Sequence, residues 1–232
     1  MRTLNKQIMP LMDIDILKMT WQEFYQRVQR EQNLGPRGLL EIQGRIKLLK
    51  VARDRFYFHP HFKDMSAETR KELAGFVVGD EDEFRWTQFG SMVGAGYFKQ
   101  AINQNNEYIS LALDQIPLEG NLSRRQYQDF VALFKKAFKS GGAGIATATR
   151  LLTMKRPDYF VCLDKKNKEG LCKALGVPKS KHIPLSDYWA LIVEQITNSV
   201  WWRSKEPKDP EELEVWNGRA AFLDSLFFDS SA

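Results

Sequence analysis

Two stretches of this 232-residue chain hold groups suited to chemistry, and the second ends twenty residues after the first. The first is Ser140-Gly141-Gly142-Ala143-Gly144, followed by IATATRLLTM; the second is RPDYFVCLD, an apolar approach that stops on Asp164. A glycine-rich link that opens a helix offers unpaired backbone N–H groups, because the first helical turn has no intrahelical acceptors. Glycine also lets that backbone come close to an anion, so a phosphate suits the position. Gly141, Gly142 and Gly144 are the expected backbone contacts, with Thr147 and Arg150 as further donors. Lys165 and Lys166 extend the same positive surface beyond Asp164. The competing reading is a plain loop before a buried helix. Asp164 also reads in two ways. At the head of KKNKEGLCKALG it is an N-cap that accepts from the backbone of the next turn. Held beside a groove that admits a nucleotide, the same carboxylate could steady a developing cation or activate a water.

Helix signals dominate the elements that must position these groups. Thr20-Trp-Gln-Glu23 has the capping-box pattern and leads Phe24, Tyr25 and Val28 at helical spacing, with a stop expected at Asn33-Leu-Gly35-Pro36. Residues 38–62 allow either a helix followed by an extended edge or a small strand pair. Ser66 opens another helix, and the Gly and acid run in GFVVGDEDE marks a loop. Gly90, Gly94 and Gly96, in an apolar stretch, read as sites of close helix packing. NNEYISLALDQIP is a short helix stopped by Pro117. Ser123-Arg-Arg-Gln126 is a second capping box, before an amphipathic helix through Tyr127, Phe130, Phe134 and Phe138. Pro157 ends the helix after the glycines, DYFVCL runs extended through the core, and Gly176 stops the helix that follows Asp164. Ser186 is placed as the cap of YWALIVEQI, and Asp209-Pro210 opens a helix through Leu213, Ala220, Leu223 and Phe227. The expected fold is mainly α, with room for a small β element in the N-terminal half, near residues 50–80. Residues 1–120 form an N-terminal helical part and 121–232 the part that carries the hairpin, or the two make one continuous domain.

Composition narrows the functional classes. With 43% hydrophobic and 27% charged residues the chain reads as globular. No apolar run approaches the roughly 20 residues of a membrane-spanning helix. MRTLNKQIMPLMDIDIL carries acids within its apolar part and no small-residue cleavage site, so no signal peptide is expected. Cys162 and Cys172 fit neither a disulfide scaffold nor a metal set, and no metal or other cofactor is expected. Together these point to an intracellular, cytoplasmic protein associated with the nucleoid. Charge is uneven: residues 121–210 hold 17 Lys and Arg against 8 Asp and Glu, whereas residues 1–120 hold 16 of each. A block of that kind favours a polyanion, because each neutralised phosphate releases counterions.

Other motifs carry less. Pro157-Asp158 with Asp164-Lys165-Lys166 has the letters of a metal-dependent nuclease signature, but only five residues separate the acids and helix signals flank both. GSMVGAG lacks the lysine of a phosphate-binding loop. His59, His61 and His182 do not form a ligand set.

The segment 139–176 resembles the helix-hairpin-helix DNA glycosylase superfamily, which includes the 8-oxoguanine glycosylases. SGGAG stands where that family has its Gly-rich hairpin, RPDYFVCLD resembles the approach to its catalytic aspartate, and LCKALGV resembles the close of the following helix. The chain departs from the pattern in three ways: the hairpin lacks the usual Leu-Pro, Lys165 and Lys166 replace Thr-His, and the cluster-binding cysteines are absent. The resemblance implies a helical glycosylase-like fold and double-stranded DNA with a modified base as partner. It implies that Asp164 is the catalytic carboxylate for hydrolysis of the N-glycosidic bond of a flipped-out base. Such a base needs an aromatic or apolar wall, for which Trp201, Trp202, Trp216 and Phe222 are the candidates. Gly144-Ile-Ala-Thr-Ala-Thr-Arg150 has no lysine to attack the sugar, which implies a monofunctional enzyme, in repair or in phage defence. The alternative is a non-catalytic DNA-recognition module, a subunit of a restriction or defence system with partner proteins.

Overall fold

Eleven α-helices run through the described residues of the computed structural model, which are 15–30, 38–77, 84–138, 141, 144–178 and 183–228. In order they are α1 (Trp21–Gln29), α2 (Gly38–Phe58), α3 (Ala67–Leu73), α4 (Gly96–Asn103), α5 (Glu107–Asp114) and α6 (Arg124–Lys136). They continue with α7 (Ile145–Lys155), α8 (Lys168–Ala174), α9 (Glu194–Asn198), α10 (Pro210–Asn217) and α11 (Leu223–Phe227). No strand occurs among the described residues, so the small β element expected near 50–80 is absent there and the fold is mainly α. Residues 38–58 are a single helix, and the chain that follows makes a short 3-10 turn at Phe62–Asp64. Among the described residues no helix is long and apolar enough to cross a membrane.

Capping chemistry starts several of these helices where the sequence puts them. The Thr20 hydroxyl accepts from Glu23 N–H at 3.3 Å, and the Glu23 carboxylate accepts from Thr20 N–H at 2.8 Å. Each side chain thereby satisfies a donor that the helix cannot. Trp21, Phe24, Tyr25 and Val28 then bury one face, with Phe24 stacked on Trp201 at 4.2 Å. Ser123 and Gln126 do the same for α6, which packs on α5 through a buried face that includes Tyr127, Phe130 and Phe134. Ser66 caps α3, and Asp209 caps α10 with bonds from Glu211 and Glu212 N–H at 3.0 Å.

Three expectations are corrected. Gly90, Gly94 and Gly96 do not mediate close helix packing. Residues 84–95 are turns, and Gly90 has φ +101°, a left-handed conformation that glycine tolerates. Gly94 and Gly96 face open space. Ser186 does not cap the helix after it, since it lies inside the 3-10 turn Leu185–Asp187, and a π-helical turn (Trp189–Val193) precedes α9. The helix opened by Asp209 ends at Asn217, and α11 is separate.

The core is organised around α7, whose residues from Thr147 to Lys155 are all buried, against α2 and α3. A helix shielded this fully cannot show a clean amphipathic pattern, because it has no solvent face. After a turn at Pro157–Tyr159 the chain returns as residues 160–163, each 0% exposed. A buried segment outside the helices needs partners for its backbone, and with no sheet among the described residues these come from side chains. The Tyr188 hydroxyl accepts from Val161 N–H at 3.1 Å and donates to Val161 C=O at 2.7 Å. Thr149 Oγ1 accepts from Leu163 N–H at 3.0 Å, and Asn167 Nδ2 donates to Cys162 C=O at 2.6 Å. Helices from both sides of residue 120 share one hydrophobic core.

Candidate functional site

The return of the chain alongside α7 decides where Asp164 stands. Thr149 and Ala146, in the first half of α7, contact Leu163 and Cys162; the Cys162 thiol donates to Ala146 C=O at 3.8 Å. Cys162 and Leu163 therefore lie beside the first half of α7, and Asp164 follows at that end of the helix. At that end Gly144 is the N-cap of α7 with no side-chain capping bond, and both Gly141 (φ +90°) and Gly144 are exposed. The first N–H groups of α7 have no intrahelical acceptor, and Gly144 has no side chain to cap them. Gly142 lies outside the described residues.

Asp164 is half-buried and tightly oriented. Its Oδ1 accepts from Lys166 N–H at 2.7 Å and Asn167 N–H at 3.3 Å, and Asn167 Oδ1 accepts from Asp164 N–H at 3.1 Å. This is a reciprocal cap over the turn 165–167, so Asp164 accepts from the next turn as expected, but it is not the N-cap of α8, which starts at Lys168 behind Asn167 with no side-chain capping bond. Oδ2 faces the 84–95 loop, 3.6 Å from where a Cβ on Gly90 would stand. Asn167 passes the contact inward, donating to Asp224 Oδ1 at 2.5 Å, and Asp224 Oδ2 accepts from Arg45 at 2.9 Å. The Arg45 guanidinium lies 4.8 Å from the ring centre of Phe89, next to Gly90. Burial, and after it the charge of Asp224, raises the Asp164 pKa above its ordinary 3.8, making it a stronger base than a free carboxylate. The same burial pushes the Cys162 thiol far up, with Asp164 and Asp224 adding to it, so it is no nucleophile.

Arg150 and Thr147 are not phosphate contacts. Arg150 is 0% exposed and donates to the carbonyls of Leu73 at 2.9 Å, Trp86 at 2.7 Å, Glu72 at 3.4 Å and, by a short contact, Gln88. Its guanidinium ties the end of α3 to the loop that carries Gly90. Desolvation lowers its pKa to about 10. Thr147 is buried and donates to Gly144 C=O at 2.8 Å, steadying the first turn from within. Lys165 is exposed and Lys166 half-buried beside Asp164.

The proposed base wall is not assembled. Trp201 is 0% exposed and donates its Nε1–H to Ile16 C=O at 2.9 Å, and Phe222 is 0% exposed with its ring 6.0 Å from Phe89; both are core. Trp202 and Trp216 line a cleft of about 410 Å³ with Lys155, Arg156, Asp158, Tyr159 and Arg219. That cleft belongs to the far end of α7, whose 11 residues span about 16 Å. Asp158 lies there too, paired with Arg156 at 2.8 Å, so Asp158 and Asp164 stand at opposite ends of residues 160–163 and form no nuclease pair. His61 pairs with Asp114 at 3.1 Å, and among the described residues no group of three or more His, Cys, Asp or Glu gathers that could hold a metal ion.

Asn167, Asp224 and Arg45 support Asp164 without having been singled out in the sequence. Asn167 was legible, because it stands three residues after Asp164 at the reciprocal capping position. Asp224 and Arg45 are distant in sequence and carried no local signal. The fold and this site define a mainly helical protein with a capped, half-buried carboxylate near the glycine-fronted start of α7. Compared with known protein families, curated proteins and solved structures, the chain shows no match.

Proposed function

We propose that the chain binds duplex DNA through the hairpin before α7 and removes a flipped-out base with Asp164. The observation that carries this is the packing of Cys162 and Leu163 on the first half of α7, which puts a fixed carboxylate at the same end of the helix as its glycine-fronted start. A backbone phosphate sits on the first N–H groups of α7 beside Gly144, with Lys165 on the flank. The target nucleotide leaves the stack toward Asp164. Glycosidic cleavage develops positive charge on the sugar, which the carboxylate stabilises while it takes a proton from the attacking water. The cap on Oδ1 holds the group still, and Oδ2 is the oxygen on the side of the Gly90 loop. Lys155, the only lysine within α7, is turned inward to Leu113 C=O at 2.8 Å, which agrees with hydrolysis by water and an intact abasic product.

The test uses duplexes carrying a panel of modified bases, with alkali to reveal abasic sites. Binding should weaken with salt at a log–log slope of about −0.9 per phosphate contacted. Asp164→Asn should keep DNA affinity and the fold, since Asn caps nearly as well, while base release falls by orders of magnitude. Borohydride should trap no adduct. Full base release by Asp164→Asn would make the aspartate a cap alone. Binding without release from any duplex would favour the non-catalytic recognition module.

A further inference from the structure

Arg219 is 9% exposed, lines the 410 Å³ cleft, and has no carboxylate within ion-pair distance among the described residues. Its guanidinium is held between two indoles, 4.6 Å from the ring centre of Trp202 and 4.2 Å from that of Trp216. Nη1 donates to Trp216 C=O at 2.9 Å, which fixes the plane of the group. Nε is buried and has no hydrogen-bond partner. Arginine presents Nε–H and one Nη2–H along a single edge, a fork that matches two oxygens of one anion. Here that edge has no partner among the described residues, although a buried donor is costly to leave unpaired.

The surroundings say what would pair with it. Arg156 is already matched by Asp158 through two bonds, at 2.9 and 2.8 Å, and Arg53 reaches the exposed Glu119 at 3.1 Å. With Lys155 and Arg219 the lining holds four cations against two carboxylates, a surplus of two positive charges. A phosphate monoester supplies about two negative charges at neutral pH, whereas a carboxylate supplies one. Trp202 and Tyr159, 5.1 Å apart edge to face, add an aromatic wall, and the volume is that of a small-molecule site.

The geometry points to a second site, in which the free edge of Arg219 binds the phosphate monoester of a nucleotide-sized ligand whose ring lies against Trp202 and Tyr159. The residues are separate from the hairpin and Asp164, so this site stands whether or not the duplex reading does.

The experiment is a tryptophan-emission titration of the whole chain with adenosine 5′-monophosphate, inorganic phosphate and acetate. A short single-stranded oligonucleotide is added with and without a 5′-phosphate. Saturable change is expected with the nucleotide, weaker change with phosphate, and none with acetate. Arg219→Lys keeps the charge but loses the fork, and should weaken nucleotide binding about tenfold or more. Arg53→Ala, at the exposed rim, should weaken it several-fold and serves if Arg219→Lys does not fold. Asp164→Asn should bind the nucleotide like wild type. Tighter binding of the free nucleotide or of the 5′-phosphorylated oligonucleotide identifies the source, and either supports the site. No saturable change up to about 10 mM nucleotide, a limit that corresponds to very weak association, would overturn it. So would acetate matching phosphate, undiminished binding by both variants, or equal Arg219-dependent binding of the unphosphorylated oligonucleotide.

Discussion

Arg150→Met should unfold the chain far more readily while leaving no mark on DNA contacts of its own. Arg150 is 0% exposed, and its guanidinium serves four main-chain carbonyls, three of them at 2.9 Å or less. Methionine fills much of the same volume but donates nothing, so those carbonyls lose their partner where water does not reach. Each buried acceptor left unpaired costs about 1–3 kcal/mol. Against this, the substitution removes a cation that is buried without a carboxylate partner, the source of its lowered pKa of about 10. The net loss should be about 3–5 kcal/mol, a large share of the 5–15 kcal/mol typical of a domain. Urea unfolding followed by far-UV circular dichroism measures it. Arg150→Lys should fall between, because a compact ammonium cannot reach carbonyls spread from Glu72 to Gln88. A loss below about 1 kcal/mol together with weakened DNA binding would refute the argument, since that is the behaviour of a surface phosphate contact.

Two further outcomes follow from the same core. Gly90→Ala should be destabilising by about 2 kcal/mol or more in thermal melts, because the new Cβ would stand 2.5 Å from Cys162 Sγ at φ +101°; Gly96→Ala, in open space, is the control, and equal effects would sink the reasoning. Burial lowers the Lys155 pKa to about 8, so between there and the ordinary 10.5 the unfolded chain holds a proton that the native state has released, and stability from this group rises with pH across that window and is lost as pH falls through about 8. Buried Cys162 and Cys172, with raised pKa values, act oppositely, so wild type is compared with Lys155→Met, which retains both; from pH 7.5 to 10 their stability difference should move toward wild type by roughly 2 kcal/mol, and no movement would mean that Lys155 is solvated.

Local rules were legible in the sequence wherever a local interaction decides. Thr20, Ser66, Ser123 and Asp209 mark helix starts because a cap involves residues two or three apart, and the structure places a helix after each. The end of the helix before FVCL and the turn after Asp164 were readable for the same reason: Pro157 bars helix on one side, and the aspartate's own bonds begin the turn on the other. The glycines of residues 84–96 misled, since glycine permits both close packing and positive φ and only the surroundings choose between them. Ser186 misled because a hydroxyl before an apolar run suits a cap and a 3-10 turn equally.

Arginine and tryptophan were where the sequence alone said least. Arg150 and Arg219 carry the same side chain in a positively charged or aromatic context, yet one is spent on buried carbonyls and the other lines a cleft with an unpaired edge. Trp201 and Trp202 are neighbours, but one stacks on Phe24 in the core and the other walls that cleft. Adjacent side chains on a turn point in different directions, and which direction is inward depends on helices contributed from far along the chain. Tertiary structure alone brought Asp224 and Arg45 in behind Asp164 and Asn167, because Arg45 and Asp224 are 179 residues apart and only the closing of α2 and α11 around one core makes them meet.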